Sequence, residues 1–348
     1  MNLSYFGSFA LVFGFALVLA LAVTPLAGAL GQRLGLVDRP GPRRVHPGIV
    51  PRTGGIALYS AFTASVLATL VLPVNWFPAR LDPNEGARLT ALLLGSTFAF
   101  AAGLVDDRRE LPPGPQFASQ FVASLIAMGG LIFIQIVNNP FTNQPLRLPW
   151  LVVYGVTVFW FAGMMNTVNW LDGLDGLATG VGAILCAILA VHMIREGQYS
   201  VALLPLALLG ATLGFLPFNF HPSRIIMGSS GSYFLGFALA ALGIIAGARV
   251  ATVLLVMGLP IMDVAWRIWS RWRRQKPVGL AGRDHLHHRL LALGFSQRRI
   301  VLGYYLFCAA FGLLALALSS RLYKLLLLLA LAAVALALLW WVEKRTDG

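Results

Sequence analysis

The sequence predicts an all-α, polytopic membrane protein with about eleven transmembrane helices. Of its 348 residues, 58% are hydrophobic and only 11% are charged, and the mean hydropathy is +0.78. A soluble protein of this length needs more charged side chains to cover its surface. Apolar runs close to the length of a bilayer-spanning helix recur along the whole chain. The simplest organisation is a single integral membrane domain that covers residues 1–348.

A spanning helix requires about 20 mostly apolar residues. The first apolar run is longer than the core of a signal peptide and lacks a basic segment before it, so we interpret it as a span. The eleven predicted spans are Ser4–Leu30, Gly54–Leu72, Leu89–Leu104, Phe117–Val137, Leu151–Val168, Gly173–Met193, Val201–Leu216, Tyr233–Ala248, Ala251–Trp269, Ile300–Ser319 and Leu322–Val342.

The distribution of charge predicts the orientation. With eleven spans and the N-terminus outside, 19 of the 26 Lys and Arg residues fall in cytoplasmic segments and 7 fall outside, in agreement with the positive-inside rule. Ten of the 13 acidic residues fall on the same face, which that rule does not demand. We therefore expect active-site loops and the C-terminus on the cytoplasmic face.

In a soluble protein, a net charge of +13 would suggest binding to nucleic acid. In a membrane protein it indicates cytoplasmic loops and anionic partners, such as lipid headgroups or phosphorylated substrates. We therefore expect membrane lipids as partners and no nucleic acid. Cys186 and Cys308 both lie inside apolar runs, so neither a disulfide framework nor a zinc site is indicated.

Adjacent carboxylates, Asp106 and Asp107, follow the third predicted span. Ionising both at a membrane boundary is costly without a cation, so we expect a divalent metal or a basic partner beside them. A solvated helix end neutralised by Arg108 and Arg109 is the alternative.

Oxygen-bearing side chains recur every three residues between the fifth and sixth spans, at Asn166, Asn169, Asp172 and Asp175. Residues i and i+3 share one face of a helical turn. The glycines that follow both aspartates allow backbone to approach a ligand closely. Oxygen ligands without a nearby His or Cys favour magnesium over zinc. A polar linker between two helices is the alternative.

Three histidines and an arginine follow in a long basic loop, at His285, His287, His288 and Arg289. Three histidines are compatible with zinc, but their mixture with arginine suits a pyrophosphate better. An amphipathic segment on the membrane surface is the alternative.

Three further signals are weaker. Residues 217–232 end in small residues, which suit phosphate binding through backbone N–H groups at a helix start. Residues 39–55 resemble an anion-binding loop, although basic loops are usual on this face. Asp263 lies in the ninth span with Arg267 four residues later, which fits ion pairing as well as catalysis.

Together these motifs resemble the polyprenyl-phosphate N-acetylhexosamine-1-phosphate transferase family, in its GlcNAc-1-phosphate branch, which is related to the phospho-MurNAc-pentapeptide translocases. Residues 106–107 look like the family's aspartate-rich motif, and residues 166–178 match its signature Asn-x-x-Asn-x-x-Asp-Gly-x-Asp-Gly. Residues 284–289 look like the histidine loop of the GlcNAc-type members, and eleven spans also fit that branch. The resemblance extends from roughly Gly31 to Phe295, with the motifs in the expected order.

The resemblance implies transfer of an N-acetylhexosamine-1-phosphate, GlcNAc-1-phosphate by preference, from a UDP-sugar to undecaprenyl or another polyprenyl phosphate, with release of UMP. It implies Mg²⁺, with Mn²⁺ as an alternative, and a homodimer. It also implies a bacterial plasma membrane and the first membrane step of cell-envelope glycan synthesis, such as that of lipopolysaccharide or teichoic acid.

The resemblance further assigns expected roles to residues of this chain. Catalytic roles fall to Asp106, Asp107, Asp172 and His285; metal binding to Asn169, Asp172 and Ser229; nucleotide or diphosphate binding to Asp175, Asn219, His285, His287, His288 and Arg289; and binding of the lipid phosphate to Arg44, His46 and Arg52.

One position departs from the family pattern. The family usually has Met-Gly-Asp-Ser-Gly-Ser where this chain has residues 227–232 with Ser229 in place of the aspartate. A neutral hydroxyl binds Mg²⁺ less well than a carboxylate does. A catalytically weakened relative that binds a UDP-sugar or polyprenyl phosphate is therefore an alternative.

Two other classes of protein fit less well. The run Asp172-x-x-Asp175-Gly176 also occurs in CDP-alcohol phosphotransferases, but here Thr179 and Gly180 replace the Ala-Arg of that signature. That family's later paired aspartates are absent as well, since no acid occurs between Asp175 and Glu196. A transporter would place polar groups at mid-membrane or on both faces, whereas here they gather on one.

Overall fold

The computed structural model describes residues 3–39, 48–247, 250–275 and 284–347. Within these ranges thirteen α-helices account for most of the chain. They are α1 Leu3–Leu34, α2 Gly54–Val71, α3 Glu85–Arg109, α4 Pro113–Gly129, α5 Trp150–Leu171, α6 Leu177–Arg195, α7 Tyr199–Asn219, α8 Gly228–Ile245, α9 Val250–Val256, α10 Gly258–Arg273, α11 Leu286–Ala292, α12 Gln297–Ala317 and α13 Arg321–Asp347. Two short antiparallel pairs are the only strands in this part of the chain: β1 Val37–Asp38 with β2 Val50–Pro51, and β3 Ile136–Asn138 with β4 Pro145–Arg147.

Nine of the described helices are long and apolar enough to cross a membrane, and the bent pair α9–α10 gives a tenth span if it is counted as one. The nine are α1, α2, α3, α5, α6, α7, α8, α12 and α13. A helix satisfies its own backbone N–H and C=O groups, which a bilayer cannot do. The prediction of an all-α, multi-pass membrane protein is therefore confirmed.

Two predicted spans differ from the observed helices. The fourth was predicted to reach Val137, but α4 has 17 residues and ends at Gly129, and residues 136–138 form β3. The two glycines at 129–130 weaken the helix, and the β-branched residues that follow favour a strand. The ninth is broken by a bend of 78° between α9 and α10, just before Pro260, which cannot donate a backbone hydrogen bond.

Helix α8 lies at the centre of the bundle. Every residue from Gly228 to Ile245 is buried, and α2, α3 and α5 pack around it. Helix α1 packs against α7 and α2, α6 lies between α7 and α12, and α13 packs against α10. The most enclosed of the candidate spans thus places the small residues 228–232 in the middle of the fold.

The polar motifs gather at one end of the bundle, which we call the motif end and define by the last turn of α3 and the first turn of α8. Hydrogen bonds join α3 to α8 there, and a bond from Ser232 to Asn169 joins α8 to α5. A further bond joins His221, which follows α7, to Asp175 in the turn between α5 and α6. The helices therefore position the motifs together, while the membrane face on which they lie stays a prediction.

Candidate active site

The carboxylate of Asp107 holds the start of α8. Its two oxygens accept hydrogen bonds from the backbone N–H groups of Ser229, at 2.7 Å, and Ser230, at 2.9 Å. The side chain is fully buried, and Arg52 Nη2 lies 3.6 Å from Oδ1. A carboxylate at a helix N-terminus is favoured by the unpaired N–H groups and by the helix dipole. The negative charge of Asp107 is thus largely engaged within the protein.

This contact depends on close approach of α3 to α8. A β-carbon at Gly103, one turn before Asp107, would lie 2.3 Å from the carbonyl oxygen of Ser229. Gly228 has a φ of +72°, and a β-carbon there would lie 2.8 Å from Asp107 Oδ2. Both positions therefore require glycine, since the approach leaves no room for a side chain and left-handed backbone favours glycine.

Asp106 has different partners from its neighbour. Its Oδ1 accepts bonds from the backbone N–H of Leu111, at 3.0 Å, and from Gln116 Nε2, at 3.1 Å. Both partners lie at the α3–α4 connection, so Asp106 closes that turn. The predicted pair thus separates into one acid that organises the α3–α4 turn and one that organises the start of α8.

Asp172 lies at the C-terminus of α5, in the turn that leads to α6. Burial raises the pKa of its carboxyl well above its ordinary value, and the charges of Asp107 and Asp175 raise it further. The positive charge of Arg52 and a hydrogen bond from the Gly228 backbone N–H oppose this rise. Asp172 is therefore the carboxylate whose negative charge is least compensated at the motif end.

Asp175 is bound by the segment that follows α7. It accepts bonds from His221 Nδ1, at 2.8 Å, from Ser223 Oγ, at 2.8 Å, and from the Ser223 backbone N–H, at 3.2 Å. Asp175 therefore fixes the approach from α7 to α8. Its role as a nucleotide contact stays a prediction, and three of its lone-pair directions are already used.

The amide side chains of the motif also have internal partners. Asn169 Oδ1 accepts a bond from Ser232 Oγ at 2.8 Å. Asn166 exchanges bonds with Gln120 on α4. Asn219 is buried, accepts a bond from Thr179 Oγ1 at 2.6 Å and donates to the Ile225 carbonyl at 3.1 Å. Asn219 was predicted as a nucleotide contact, whereas its observed contacts hold the α7–α8 connection together.

The histidine segment docks on α10 through Asp263. His285 Nδ1 lies 3.0 Å from Asp263 Oδ2, and the backbone N–H of Leu286 donates to Asp263 Oδ1 at 2.8 Å. Both His285 and Asp263 are buried. The carboxylate therefore orients the imidazole and caps the first turn of α11. The sequence left ion pairing with Arg267 and catalysis as equal alternatives for Asp263. In the structure, the carboxylate of Asp263 binds His285 and is therefore not a partner for Arg267 alone.

His287 links the histidine segment to the turn between α5 and α6. A β-carbon at Gly173, the residue after Asp172, would lie 2.5 Å from His287 Nε2. The side chain is fully buried, and among the described residues neither ring nitrogen has a hydrogen-bond partner. Burial lowers the pKa of His287 well below its ordinary value, and the neighbouring rings of His288 and His285 lower it further. His287 is therefore neutral at pH 7 and offers one unpaired acceptor and one unpaired donor.

Arg289 connects the histidine segment to α13. Its Nη2 lies 3.8 Å from Glu343 on α13, Nη1 donates to Thr346 Oγ1 at 3.4 Å, and Nε donates to the Asp284 carbonyl at 3.1 Å. These contacts attach α11 to α13, and the predicted role of Arg289 in binding the diphosphate stays a prediction. Binding a diphosphate would require the guanidinium to exchange these partners.

Of the predicted lipid-phosphate residues, only Arg52 lies within the described ranges. It pairs with Asp107 and, at 3.5 Å, with Glu110. Arg44 and His46, for which the same role was predicted, lie outside the described residues. The basic loop and the aspartate-rich motif thus meet at Arg52, a contact that no spacing in the sequence indicates.

The oxygen groups around Asp172 fit a magnesium ion held by few protein ligands. No group of three or more His, Cys, Asp or Glu side chains in the described ranges forms a ready-made metal site. Mg²⁺ is commonly held by one or two carboxylates, with water and substrate phosphates completing its shell. Burial and the nearby charges of Asp107 and Asp175 disfavour a negative charge on Asp172, and a cation beside it would offset both effects. Ser229 lies at the same place, in the first turn of α8.

Two side chains that were not among the predicted site residues, Trp170 and Arg267, contact the histidine segment. Trp170 lies between His285, with ring centroids 5.9 Å apart, and the guanidinium of Arg267, 5.1 Å from the ring centroid. Arg267 also pairs with Asp284 at 3.5 Å. In the sequence, Trp170 is noticeable as a tryptophan and Arg267 as a charged residue, each in an apolar run. Neither signal indicates which residues the side chain contacts.

Comparison with known proteins gives a family match and relatives that align with at least three quarters of the chain. The model of glycosyl transferase family 4 matches residues 89–247. A Bacillus subtilis protein described as a probable undecaprenyl-phosphate N-acetylglucosaminyl 1-phosphate transferase is 32% identical, over 88% of this chain and 83% of its own length. The decaprenyl-phosphate N-acetylglucosaminephosphotransferase of Mycobacterium tuberculosis is 34% identical over 81% and 76%. A phospho-N-acetylmuramoyl-pentapeptide-transferase of Geobacillus thermodenitrificans is 32% identical over 76% and 82%.

Proposed function

The chain belongs to glycosyl transferase family 4, among the polyprenyl-phosphate N-acetylhexosamine-1-phosphate transferases, and we propose that it transfers GlcNAc-1-phosphate from UDP-GlcNAc to undecaprenyl phosphate and releases UMP. The observation that carries this proposal is the convergence of three motifs on one turn. The N–H of Gly228 bonds Asp172, and Gly173 packs against His287. The carboxylate of Asp172 and the ring of His287 thus lie at the same turn, between α5 and α6.

The reaction demands positioning more than proton transfer. An oxygen of the lipid phosphate attacks the β-phosphorus of the UDP-sugar, and the bond from that phosphorus to the bridging oxygen of UMP breaks. A phosphate monoester has a second pKa of about 6, so at neutral pH the attacking phosphate is already mostly a dianion. Catalysis then rests on alignment and on neutralising charge.

We assign Mg²⁺ to Asp172 and Asn169, with the Ser229 hydroxyl as a weaker third group. Bound there, the ion would neutralise the diphosphate. The fit rests on oxygen donors and on the uncompensated charge of Asp172. Asp107 acts on this arrangement indirectly, because it holds α8 and Arg52 in place.

The histidine segment supports binding of the diphosphate. Asp263 engages Nδ1 of His285, which leaves Nε2 for a phosphate oxygen. His287 and His288 lie beside it, with ring centroids 5.5 Å from His285 to His287 and 4.3 Å from His287 to His288. Imidazoles suit this task because a phosphate can raise their pKa and gain a charged donor.

The substrates also favour an orientation. A UDP-sugar is water-soluble and made in the cytoplasm, so the motif end faces that side of the plasma membrane, the N-terminus lies outside, and polyprenyl phosphate enters from the surrounding lipid. The 19-to-7 division of basic residues supports the same orientation. We also propose that the protein is a homodimer, because the resemblance to the family implies one.

Release of UMP tests the proposal. The purified protein in detergent micelles is given undecaprenyl phosphate, Mg²⁺ and either UDP-GlcNAc, UDP-GalNAc or UDP-glucose. We expect UMP with UDP-GlcNAc, and none when the lipid or the metal is omitted. UMP from UDP-glucose alone would refute the choice of sugar, and the Asp172→Asn variant provides the matched negative control.

Ser229 favours a second candidate, a catalytically weakened relative that binds the substrates. The first turn of α8 carries no carboxylate of its own at this position. Binding of UDP-GlcNAc without UMP release, under conditions in which the Ser229→Asp variant does release UMP, would establish this second candidate.

A further inference from the structure

The last turn of α13 carries an acidic residue that connects three helices. The side chain of Glu343 is only 15% exposed. Its Oε2 accepts a bond from Trp266 Nε1 at 2.8 Å, and its Oε1 accepts one from Ser270 Oγ at 3.0 Å. A guanidinium N–H of Arg274 also donates to Oε1. All three donors belong to α10 or to the residue that caps its end.

The same carboxylate reaches the histidine segment through Arg289. The guanidinium of Arg289 lies 3.8 Å from Glu343 Oε1 and bonds Thr346, also on α13. Arg289 is two residues beyond His287, in a helix of only seven residues. A helix of that length is unstable by itself and takes its position from tertiary contacts.

The other polar anchors of this segment are at its start. Asp263 holds His285 and the first N–H of α11, and Asp284 pairs with Arg271 Nε at 2.5 Å and with Arg267. Burial alone would raise the pKa of Asp284, but the bond from Arg271 and the charges of Arg267 and Arg271 hold it below its ordinary value. The start of α11 is thus fixed to α10, and Arg289 near its other end contacts α13.

We propose that Glu343 is a positioning residue that sets the place of the histidine segment against the Asp172–Asp175 turn, acting through Arg289. This inference rests on the proposed function for its catalytic consequence. It extends the functional part of the chain to its last helix, beyond Phe295, where the motif resemblance ends. A carboxylate that neutralises Arg274 and Arg289 also keeps these two cations from repelling each other across the α10–α11 contact.

Two variants, Glu343→Ala and Glu343→Gln, test the proposal against Lys344→Gln as a matched control. Lys344 is the next residue, is exposed and stacks on Trp340, so its loss changes the charge of the same turn without touching α11. In Glu343→Ala we expect KM for UDP-GlcNAc to rise about tenfold, because small displacements of a substrate-binding segment have effects of this order. KM for undecaprenyl phosphate and the folded fraction should stay unchanged, and Glu343→Gln should lie between wild type and Glu343→Ala.

A second measurement does not depend on turnover. Hydrogen exchange of residues 286–292, followed by mass spectrometry, should be faster in Glu343→Ala than in wild type or in the Lys344 control. Calorimetry should show weaker UDP binding in the same variant. If wild type releases no UMP, the proposed function fails, while exchange and UDP affinity still decide the role of Glu343.

The variants also separate positioning from general support of the fold. A purely structural role would lower the folded fraction and the apparent turnover while leaving KM and UDP affinity unchanged, and that outcome would overturn the proposal. If Glu343→Ala does not fold, Glu343→Gln takes its place in each comparison. In a double-mutant cycle with Arg289→Gln, the combined variant should be no worse than the poorer single one. Additive effects on KM would show that Glu343 does not act through Arg289.

Discussion

Replacing Asp107 by asparagine should destabilise the protein more than its position in a catalytic motif suggests. The buried carboxylate accepts two backbone N–H bonds, at 2.7 and 2.9 Å, and faces Arg52 at 3.6 Å. A hydrogen bond to a charged group contributes about 1.5–3 kcal/mol. Asparagine keeps one acceptor oxygen but loses the charge, so one such bond and the attraction to Arg52 disappear. We expect the free energy of unfolding to fall by about 3 kcal/mol.

Asp106→Asn is the matched control, since the two acids are neighbours and equally buried. Asp106 accepts two bonds through a single oxygen, which asparagine retains, and no ion pair is described for it. Its loss of stability should be about 1 kcal/mol. Denaturant titration in mixed micelles, followed by tryptophan fluorescence, measures both values, and UMP release measures activity in the same samples.

The comparison has an outcome that would refute the reasoning. If Asp107→Asn is as stable as Asp106→Asn and still loses all activity, the carboxylate of Asp107 acts on the substrate directly and the start of α8 is held by other contacts. If stability and activity fall together, and added Mg²⁺ and UDP restore part of the stability, Asp107 supports the site by keeping the start of α8 in position.

Four other predictions follow from the same contacts. Ser229→Asp should lower the melting temperature in EDTA, and bind Mg²⁺ about tenfold more tightly, equivalent to roughly 1.4 kcal/mol; an unchanged response to Mg²⁺ in titrations would remove Ser229 from the metal site. Asp172→Asn should slow UMP release at least about tenfold, or about 1.4 kcal/mol of barrier, without lowering the melting temperature, and an active variant would place the centre elsewhere. Because burial holds the pKa of His287 well below 6.5, protonating this ring costs more in the folded than in the unfolded state, so as the pH falls from 6.5 to 5 the free energy of unfolding should decrease more in wild type than in His287→Gln. An impermeant maleimide on intact cells should label a cysteine at Asn84 and not one at Ser296, and the reverse pattern would invert the topology; the native cysteines are buried.

Most of the fold was predictable because a bilayer imposes one simple rule on sequence. A run of about 20 apolar residues has to be helical to satisfy its backbone, so hydropathy located nearly every helix. The errors occur where backbone chemistry overrides hydropathy. Residues 131–137 are mostly apolar but follow two glycines and end in β3, and the apolar run from residue 251 onward is bent between α9 and α10, just before Pro260.

The candidate site was predictable in membership but not in contacts. Spacing identified Asp106, Asp107, Asp172 and the histidines, because each is a polar group at the edge of an apolar run. It could not show that Asp107 binds α8 or that Arg289 points to α13, since those contacts join positions more than fifty residues apart. The sequence left ion pairing and catalysis open for Asp263 and gave no role to Glu343. Only the tertiary structure reveals which donors each carboxylate binds.

The position of Asp107 also bears on the serine at 229. In the family pattern α8 has an aspartate of its own in its first turn, whereas here the nearest carboxylate is that of Asp107, which comes from α3 and lies 2.7 Å from the Ser229 nitrogen. The first turn of α8 thus keeps a negative charge, but that charge is shared with two backbone N–H groups and Arg52. A cation at Asp172 would therefore gain the electrostatic benefit of a nearby carboxylate without gaining a free ligand. It follows that the substitution should weaken Mg²⁺ affinity more than it lowers the rate at saturating Mg²⁺, and a turnover curve against Mg²⁺ concentration separates these two effects.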